Sequence, residues 1–200
     1  MISAVVLAAG LSTRMGRPKL TLPWGSTTVI GQVVATLTRA KVDEIIMVTG
    51  AARPDVESAV FQAGEGGIRA VFNPRYAEDN MLISLQVGME ALNECVNAML
   101  VVLGDQPQIE VDVVCSILEA YRTQGHLLIV PSFDNHRGHP WLVDRGLWPS
   151  ILSAPSDSTM RDFLNTHTKR ITYLPVATSS ILHDLDTPED YAQNRLMNRI

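Results

Sequence analysis

The apolar positions of this chain change period along its length, and those changes predict its elements. Ala4 to Ala9 is a continuous apolar run closed by Gly10, as in a strand buried on both faces of a parallel sheet. Val29, Val33, Val34 and Leu37 then recur at helical spacing, and Ile45 to Val48 reads as a second strand ending before Gly50. Pro54 suits a first helical turn ahead of Val56, Val60 and Phe61. Ile68 to Phe72 is a third strand, stopped by Asn73-Pro74, and Met81 to Leu92 a helix. Ala98 to Leu103 is the most apolar strand, followed by a helix over Val111 to Tyr121 and an extended stretch over Leu127 to Val130.

Strands alternating with helices of this length require right-handed crossovers, so the fold class is α/β with a mostly parallel sheet and helices on both faces. After residue 131 the rhythm changes. A polar loop (Ser132 to His139) leads to a short apolar piece (Trp141 to Val143), two short helices near Leu147 to Leu152 and Thr159 to Asn165, a strand over Ile171 to Val176, and a closing helix from Pro188. With no linker and no internal repeat, this half is expected to decorate the sheet, and residues 1–200 to form a single domain.

Composition narrows the class. Two cysteines, Cys95 and Cys115, are too few for a disulfide scaffold or a cysteine-rich zinc site. Both fall in stretches read as helix and are expected to be buried thiols of a cytoplasmic protein. The apolar run at the start lacks a preceding basic residue and is too short to span a bilayer, so neither a targeting segment nor a membrane role is expected. The formal charge of −5 disfavours nucleic acid as a partner. Its distribution is uneven. Residues 1–42 hold five basic side chains and no acid, while the rest, with 11 basic and 21 acidic residues, sums to −10. The amino-terminal part is suited to anions.

The candidate anion site is the stretch Leu7-Ala8-Ala9-Gly10-Leu11-Ser12-Thr13-Arg14-Met15-Gly16-Arg17-Pro18-Lys19. It lacks the three glycines of a dinucleotide fingerprint. It also fails as a P-loop, because five residues separate Gly10 from Gly16 and Lys19 lies three beyond the second glycine. The ingredients still suit phosphate. Small residues at a strand's carboxyl end let backbone N–H groups approach an anion, and Arg14 and Lys19 add cationic donors. The pattern LAAG-x-S-x-RMG-x-x-K resembles the signature of the MobA-like nucleotidyltransferases. Ala9, Ser12 and Pro18 resemble most the branch that includes molybdenum cofactor cytidylyltransferase.

Two acidic motifs extend the resemblance. Gly104-Asp105-Gln106-Pro107 follows the most apolar strand, where an aspartate faces the ligand end of the sheet, although such an Asp also caps turns. His183-Asp184-Leu185-Asp186-Thr187-Pro188-Glu189-Asp190 precedes the last helix; Thr187 and Asp190 have capping spacing, which leaves Asp184 and Asp186 for chemistry. The resemblance implies that Asp105 and Asp186 hold Mg²⁺, with Asp184 the alternative second ligand. It also implies nucleotide contacts by Leu7, Ala8, Ala9, Gly10, Arg14, Lys19, Asn73 and Ser84. Arg14, Lys19 and Asp105 would be catalytic.

Asn73-Pro74-Arg75-Tyr76 and Met81 to Leu85 resemble a further family block, but Asn80 stands where the family usually has Gly, and Leu82 and Ile83 replace small polar residues. Arg137-Gly138-His139-Pro140 resembles the family's acceptor-side segment, which makes His139 a candidate donor to an anionic acceptor. Ser156 to Arg161 takes the place of a Gly-rich family segment without its glycines. His126, His136, His167 and His183 lack zinc spacing, and Trp24, Trp141 and Trp148 are expected to be packing anchors.

The implied reaction moves CMP from CTP to the terminal phosphate of a phosphorylated pterin, the molybdenum cofactor, in a three-layer Rossmann-like nucleotidyltransferase domain. A molybdoenzyme or its chaperone would be the onward partner. The alternatives are transfer to a sugar or polyol phosphate, and a non-catalytic cofactor-delivery module.

Overall fold

The computed structural model describes residues 1–61 and 67–197, with the side chains of Leu196 and Met197 left aside. One eight-stranded sheet runs through it. Strands β1 (Ile2–Ala8), β4 (Glu44–Thr49), β5 (Ile68–Phe72) and β6 (Ala98–Leu103) are parallel, β1 lying between β4 and β6. Between them run a small antiparallel hairpin, β2 (Pro23–Trp24) and β3 (Thr27–Thr28), and helices α1 (Val29–Arg39), α2 (Arg53–Phe61) and α3 (Met81–Glu90). After β6 come α4 (Val111–Gln124), β7 (Leu128–Phe133), β8 (His136–Arg137), β9 (Trp141–Asp144), α5 (Trp148–Leu152), α6 (Met160–Thr166), β10 (Ile171–Pro175) and α7 (Pro188–Met197). The order across the sheet is β10-β7-β9-β6-β1-β4-β5, with β8 paired to β7.

The uniform apolar character of the central strands has the expected cause. On β1, Ala4, Val6 and Ala8 face a core built with α1, α2 and α4, while Val5 faces a second core built with α3, α5 and α6. Ala98, Leu100 and Val102 on β6 alternate with Met99 and Val101 in the same way. Burial on both faces removes the polar alternation a half-exposed strand would show. Helix α1 starts where the Thr28 hydroxyl accepts the Gly31 N–H at 3.1 Å.

Three expectations are corrected. The second half does not merely decorate the sheet: β9 runs antiparallel between β6 and β7, and β10 extends the edge parallel to β7. The piece Trp141 to Val143 is too short for its pattern to reveal a central strand. The cysteines are exposed, Cys95 in the turn after α3 and Cys115 on the outer side of α4. Helix α3 ends at Glu90, ahead of the Leu92 expected for it. The tryptophans are anchors: Trp24, Trp141 and Trp148 are buried, and the latter two donate to the carbonyls of Gly138 and Val143. Among the described residues, no helix is long and apolar enough to cross a membrane.

Candidate active site

The parallel strands β1 and β6 end side by side, and the segments that follow them build a cleft of about 280 Å³. After Ala8 the chain rises through Gly10 into a turn whose Ser12 and Gly16 adopt left-handed φ of 53° and 68°. Met15 and Leu20 are buried beneath this loop and hold it against the first core. The Ser12 hydroxyl accepts the Lys19 N–H at 3.3 Å, tying the two ends of the turn together. Beside it, the Gly104 N–H donates to the Leu7 carbonyl at 3.1 Å, and a Cβ at Gly104 would lie 2.9 Å from that oxygen. The close approach explains a glycine before Asp105.

The carboxyl-terminal segment reaches the same place by apolar anchoring. Leu185 is fully buried and its N–H donates to the Asp105 carbonyl at 3.3 Å. Tyr191 on α7 packs near Trp24 and donates its hydroxyl to the Pro23 carbonyl at 2.6 Å. Thr187 and Asp190 cap α7 reciprocally, the Asp190 carboxylate accepting the Thr187 N–H at 2.9 Å and the Thr187 hydroxyl accepting the Asp190 N–H at 3.2 Å. With Leu185 turned inward, Asp184 and Asp186 face the cleft.

Charge concentrates there. Lys19 Nζ lies 2.5 Å from Asp105 Oδ2 and 3.1 Å from Asp186 Oδ1, and Arg14 lies 2.9 Å from the other oxygen of Asp186. Burial alone would lower the Lys19 pKa, but the charges and hydrogen bonds of Asp105 and Asp186 outweigh it and raise it above its ordinary value. Asp184 shows the opposite balance. Burial and then the negative charge of Asp105 raise its pKa, against the hydrogen bond that Gln106 Nε2 donates to it at 2.6 Å. Among the described residues no preformed cluster of three metal-ligating side chains occurs. Asp105 and Asp186, gathered around one cation and open to the cleft, still fit a hard divalent ion, which commonly takes one or two carboxylates and completes its shell from phosphate and water. These two residues would hold it.

The far wall of the cleft, near α3, is polar and carries the Asp79 carboxylate. Ser84 lines it, and Asn73, only 1% exposed, stands behind, donating to the Ser84 hydroxyl at 3.1 Å and accepting the Arg75 N–H at 2.9 Å. Of the residues expected to contact nucleotide, Leu7, Ala8, Ala9 and Gly10 form the floor and Arg14 and Lys19 one side. Asn73 is the exception; it supports Ser84 without lining the cleft.

Residues 4–171 match the MobA-like NTP transferase domain. The chain belongs to this family. It is 28% identical to molybdenum cofactor cytidylyltransferase of Escherichia coli (strain K12), over 95% of this chain and 93% of that protein. It is 29% identical to nicotine blue oxidoreductase of Paenarthrobacter nicotinovorans, over 94% and 93% respectively. Among solved structures, Rv0371c of Mycobacterium tuberculosis H37Rv superposes with a TM-score of 0.85 at 26% identity, covering 98% of this chain and 97% of that one. A structure of Rv0371c in complex with manganese superposes at 0.78, with 25% identity and 96% of each chain covered. This MobA-like transferase is therefore a nucleotidyltransferase of α/β fold.

His139, expected on the acceptor side, lies apart from the cleft of this transferase. Its Nδ1 lies 3.4 Å from the Val101 carbonyl and its ring stacks on Trp141 at 4.3 Å. A part of the residue reaches solvent, yet protein crowds the ring, and this burial lowers its pKa to about 4. The imidazole is neutral near pH 7 and offers an anionic acceptor no positive charge. Because the unfolded chain takes up this proton near pH 6.5 and the folded chain only near pH 4, stability should fall as pH drops through that window. Urea unfolding at pH 7 and 4.5 should show a loss of about 2–3 kcal/mol from this group. His139→Gln should flatten that part of the profile; an unchanged pH dependence in the variant contradicts the assignment.

The cleft also contains Tyr76, Asp79, Asn80 and Met81, which the sequence reading did not assign to it. Asn80 carried the signal, as the residue in a family glycine's place. Its side chain caps α3, accepting the Leu82 N–H at 2.8 Å.

Proposed function

We propose that this transferase moves CMP from CTP to the terminal phosphate of molybdopterin carrying its metal, releasing pyrophosphate, and that residues 1–200 act as one domain in doing so. The observation that carries the reading is the convergence of Lys19, Asp105 and Asp186, from three distant parts of the chain, on one cleft with Arg14 at its edge. Phosphoryl and nucleotidyl transfers demand positioning and charge stabilisation more than covalent chemistry.

The chain's own residues divide the work. The backbone from Ala8 through Gly10 and the cations of Arg14 and Lys19 receive the β and γ phosphates and stabilise the charge that grows on the departing pyrophosphate. Ser84, held by Asn73, approaches the nucleoside end. Asp105 and Asp186 would hold Mg²⁺, whose contribution when bound is to neutralise phosphate oxygens and fix them in line. The acceptor phosphate is already an anion near neutral pH, so no general base is needed.

The cytidylyl assignment is supported by Ala9, Ser12 and Pro18, which resemble that branch, and by the likeness to the E. coli cytidylyltransferase. The likeness to nicotine blue oxidoreductase supports a redox reading less well, because hydride transfer has no use for paired carboxylates beside a lysine. The test is competition between equal CTP and GTP, with Mg²⁺ and molybdenum cofactor, followed by mass analysis. The cytidine dinucleotide should exceed the guanosine product at least tenfold. A guanosine product, or turnover only with a sugar or polyol phosphate, overturns the assignment. Nucleotide binding without any pyrophosphate release would favour the delivery module.

A further inference from the structure

Residues 105–110 hold in place the acidic segment that faces them. Gln106 Nε2 donates to Asp184 Oδ1 at 2.6 Å. Gln108 Nε2 donates to the carbonyls of Ser180, at 3.3 Å, and His183, and the Thr178 hydroxyl donates to the Glu110 carboxylate at 2.6 Å. The stretch that supplies Asp105 thus also fixes the one that supplies Asp184 and Asp186.

Gln106 is the member of this seam that packing does not explain. It is 3% exposed, and its Oε1 is buried with no hydrogen-bond partner among the described residues. It borders a gap of about 10 Å³ whose other walls are mainly aliphatic, among them Val33, Leu37, Val102 and Ile109. A buried acceptor without a partner lowers stability, and a leucine would suit such surroundings better. What the amide does supply is its bond to Asp184. An ionised carboxylate only accepts, so the end of Gln106 that reaches it is the donor.

That bond sets Asp184 apart from its neighbours. Lys19 is paired with Asp105 and Asp186, and Arg14 with Asp186; among the described residues no cation comes within ion-pair distance of Asp184. A neutral donor therefore orients this carboxylate without neutralising it. The cleft lining sets two cations, Arg14 and Lys19, against four carboxylates, those of Asp79, Asp105, Asp184 and Asp186, an excess that favours a divalent cation. Because no cluster of three metal-ligating side chains occurs among the described residues, Asp184 belongs beside such an ion, where groups that orient its surroundings tune its affinity.

We propose that Gln106 is a positioning residue for the divalent cation: by holding Asp184 Oδ1 it keeps this carboxylate clear of Lys19 and turned to accept hydrogen bonds from the water that completes the shell of an ion held by Asp105 and Asp186. The proposal rests on the cation assignment made above and on neither the nucleotide nor the acceptor.

The test is Mn²⁺ binding to the protein alone, by calorimetry and by loss of the free-ion paramagnetic resonance signal. Gln106→Leu should melt at or above the wild type and bind Mn²⁺ roughly tenfold more weakly or worse. Asp184→Ala should lose as much, the Gln106→Leu/Asp184→Ala double variant no more than Asp184→Ala, and Asp105→Ala more than either single variant. Gln106→Met, equally without a donor, takes the place of Gln106→Leu if that protein does not fold. Wild-type Mn²⁺ affinity in a folded Gln106 variant overturns the proposal, as do additive losses in the double variant, which would mean that Gln106 does not act through Asp184. A loss in Asp184→Ala equal to that in Asp105→Ala would make Asp184 a direct ligand and overturns the route through water. No Mn²⁺ binding to the wild type removes the cation site and the proposal together, whereas Mn²⁺ binding without CMP transfer overturns the cytidylyltransferase reading alone.

Discussion

Lys19→Ala and Asp105→Ala are each expected to lower turnover by roughly 10²-fold or more, the usual scale for one preorganised electrostatic group. The two should differ in stability. Removing Lys19 leaves Asp105, Asp184 and Asp186 facing one cleft with only Arg14 to offset them, so the folded state loses its central counter-charge. Removing Asp105 leaves Lys19 still paired to Asp186 at 3.1 Å. Because the Lys19 and Asp105 side chains keep 14% and 17% of their surface exposed, little packing is lost in either case. We expect Asp105→Ala to unfold within a degree or two of the wild type and Lys19→Ala lower, a gap that narrows in high salt. Steady-state kinetics and thermal unfolding of the two variants check this. A fully active Asp105→Ala protein would falsify its place in the reaction.

The second large effect concerns Gly50, at the end of β4. A Cβ there would sit 2.4 Å from the Ala9 carbonyl oxygen, 2.8 Å from Ala9 Cα and 2.8 Å from Tyr76 Cβ. Two of these neighbours are backbone atoms of the nucleotide loop, so the strain cannot be relieved by a side-chain rotation. Gly50→Ala should destabilise the protein by about 1–3 kcal/mol. By displacing Ala9 and Tyr76 together, it should also depress turnover at least tenfold. Gly10 provides the contrast, since a Cβ there meets nothing within 4 Å. Gly10→Ala should melt with the wild type, and any loss of activity should appear as weaker nucleotide binding. A Gly50→Ala protein with wild-type melting and kinetics would mean that the loop is not held in this position.

The parts of this molecule that were legible in its sequence are those where one residue pattern has one physical solution. A run such as Ala98 to Leu103, apolar throughout and bounded by Asn97 and Gly104, can only be a strand covered on both faces, and it is. The helix after it and the capping pair Thr187 and Asp190 follow from equally local rules. What failed depended on distant partners. Trp141 to Asp144 became a central antiparallel strand because β6 and β7 leave a gap of one strand between them, which nothing in four residues can announce. The surroundings of His139 were equally hidden: its ring stacks on Trp141 and its Nδ1 lies against the Val101 carbonyl, contacts that Arg137 to Pro140 alone cannot announce. The cysteines were placed by residue-type preference, which distinguishes neither the two sides of a surface helix, as at Cys115, nor a helix from the turn that holds Cys95. Within the cleft, the charged residues could be read because their chemistry is specific. Asn80 could not, because an amide donor reveals its partners only when the carbonyls opposite it are known.

This cleft is expected to break the bond between the α and β phosphates of a nucleoside triphosphate and to join the nucleotidyl group to a phosphate acceptor. The most direct measurement follows CTP labelled at the α-phosphorus through incubation with Mg²⁺ and molybdenum cofactor, while pyrophosphate is counted in the same tube. Label should enter the cofactor, and one pyrophosphate should appear for each labelled product. Pyrophosphate without labelled product in the presence of every phosphorylated acceptor tried, or intact CTP alongside consumption of a reduced nicotinamide, would contradict it.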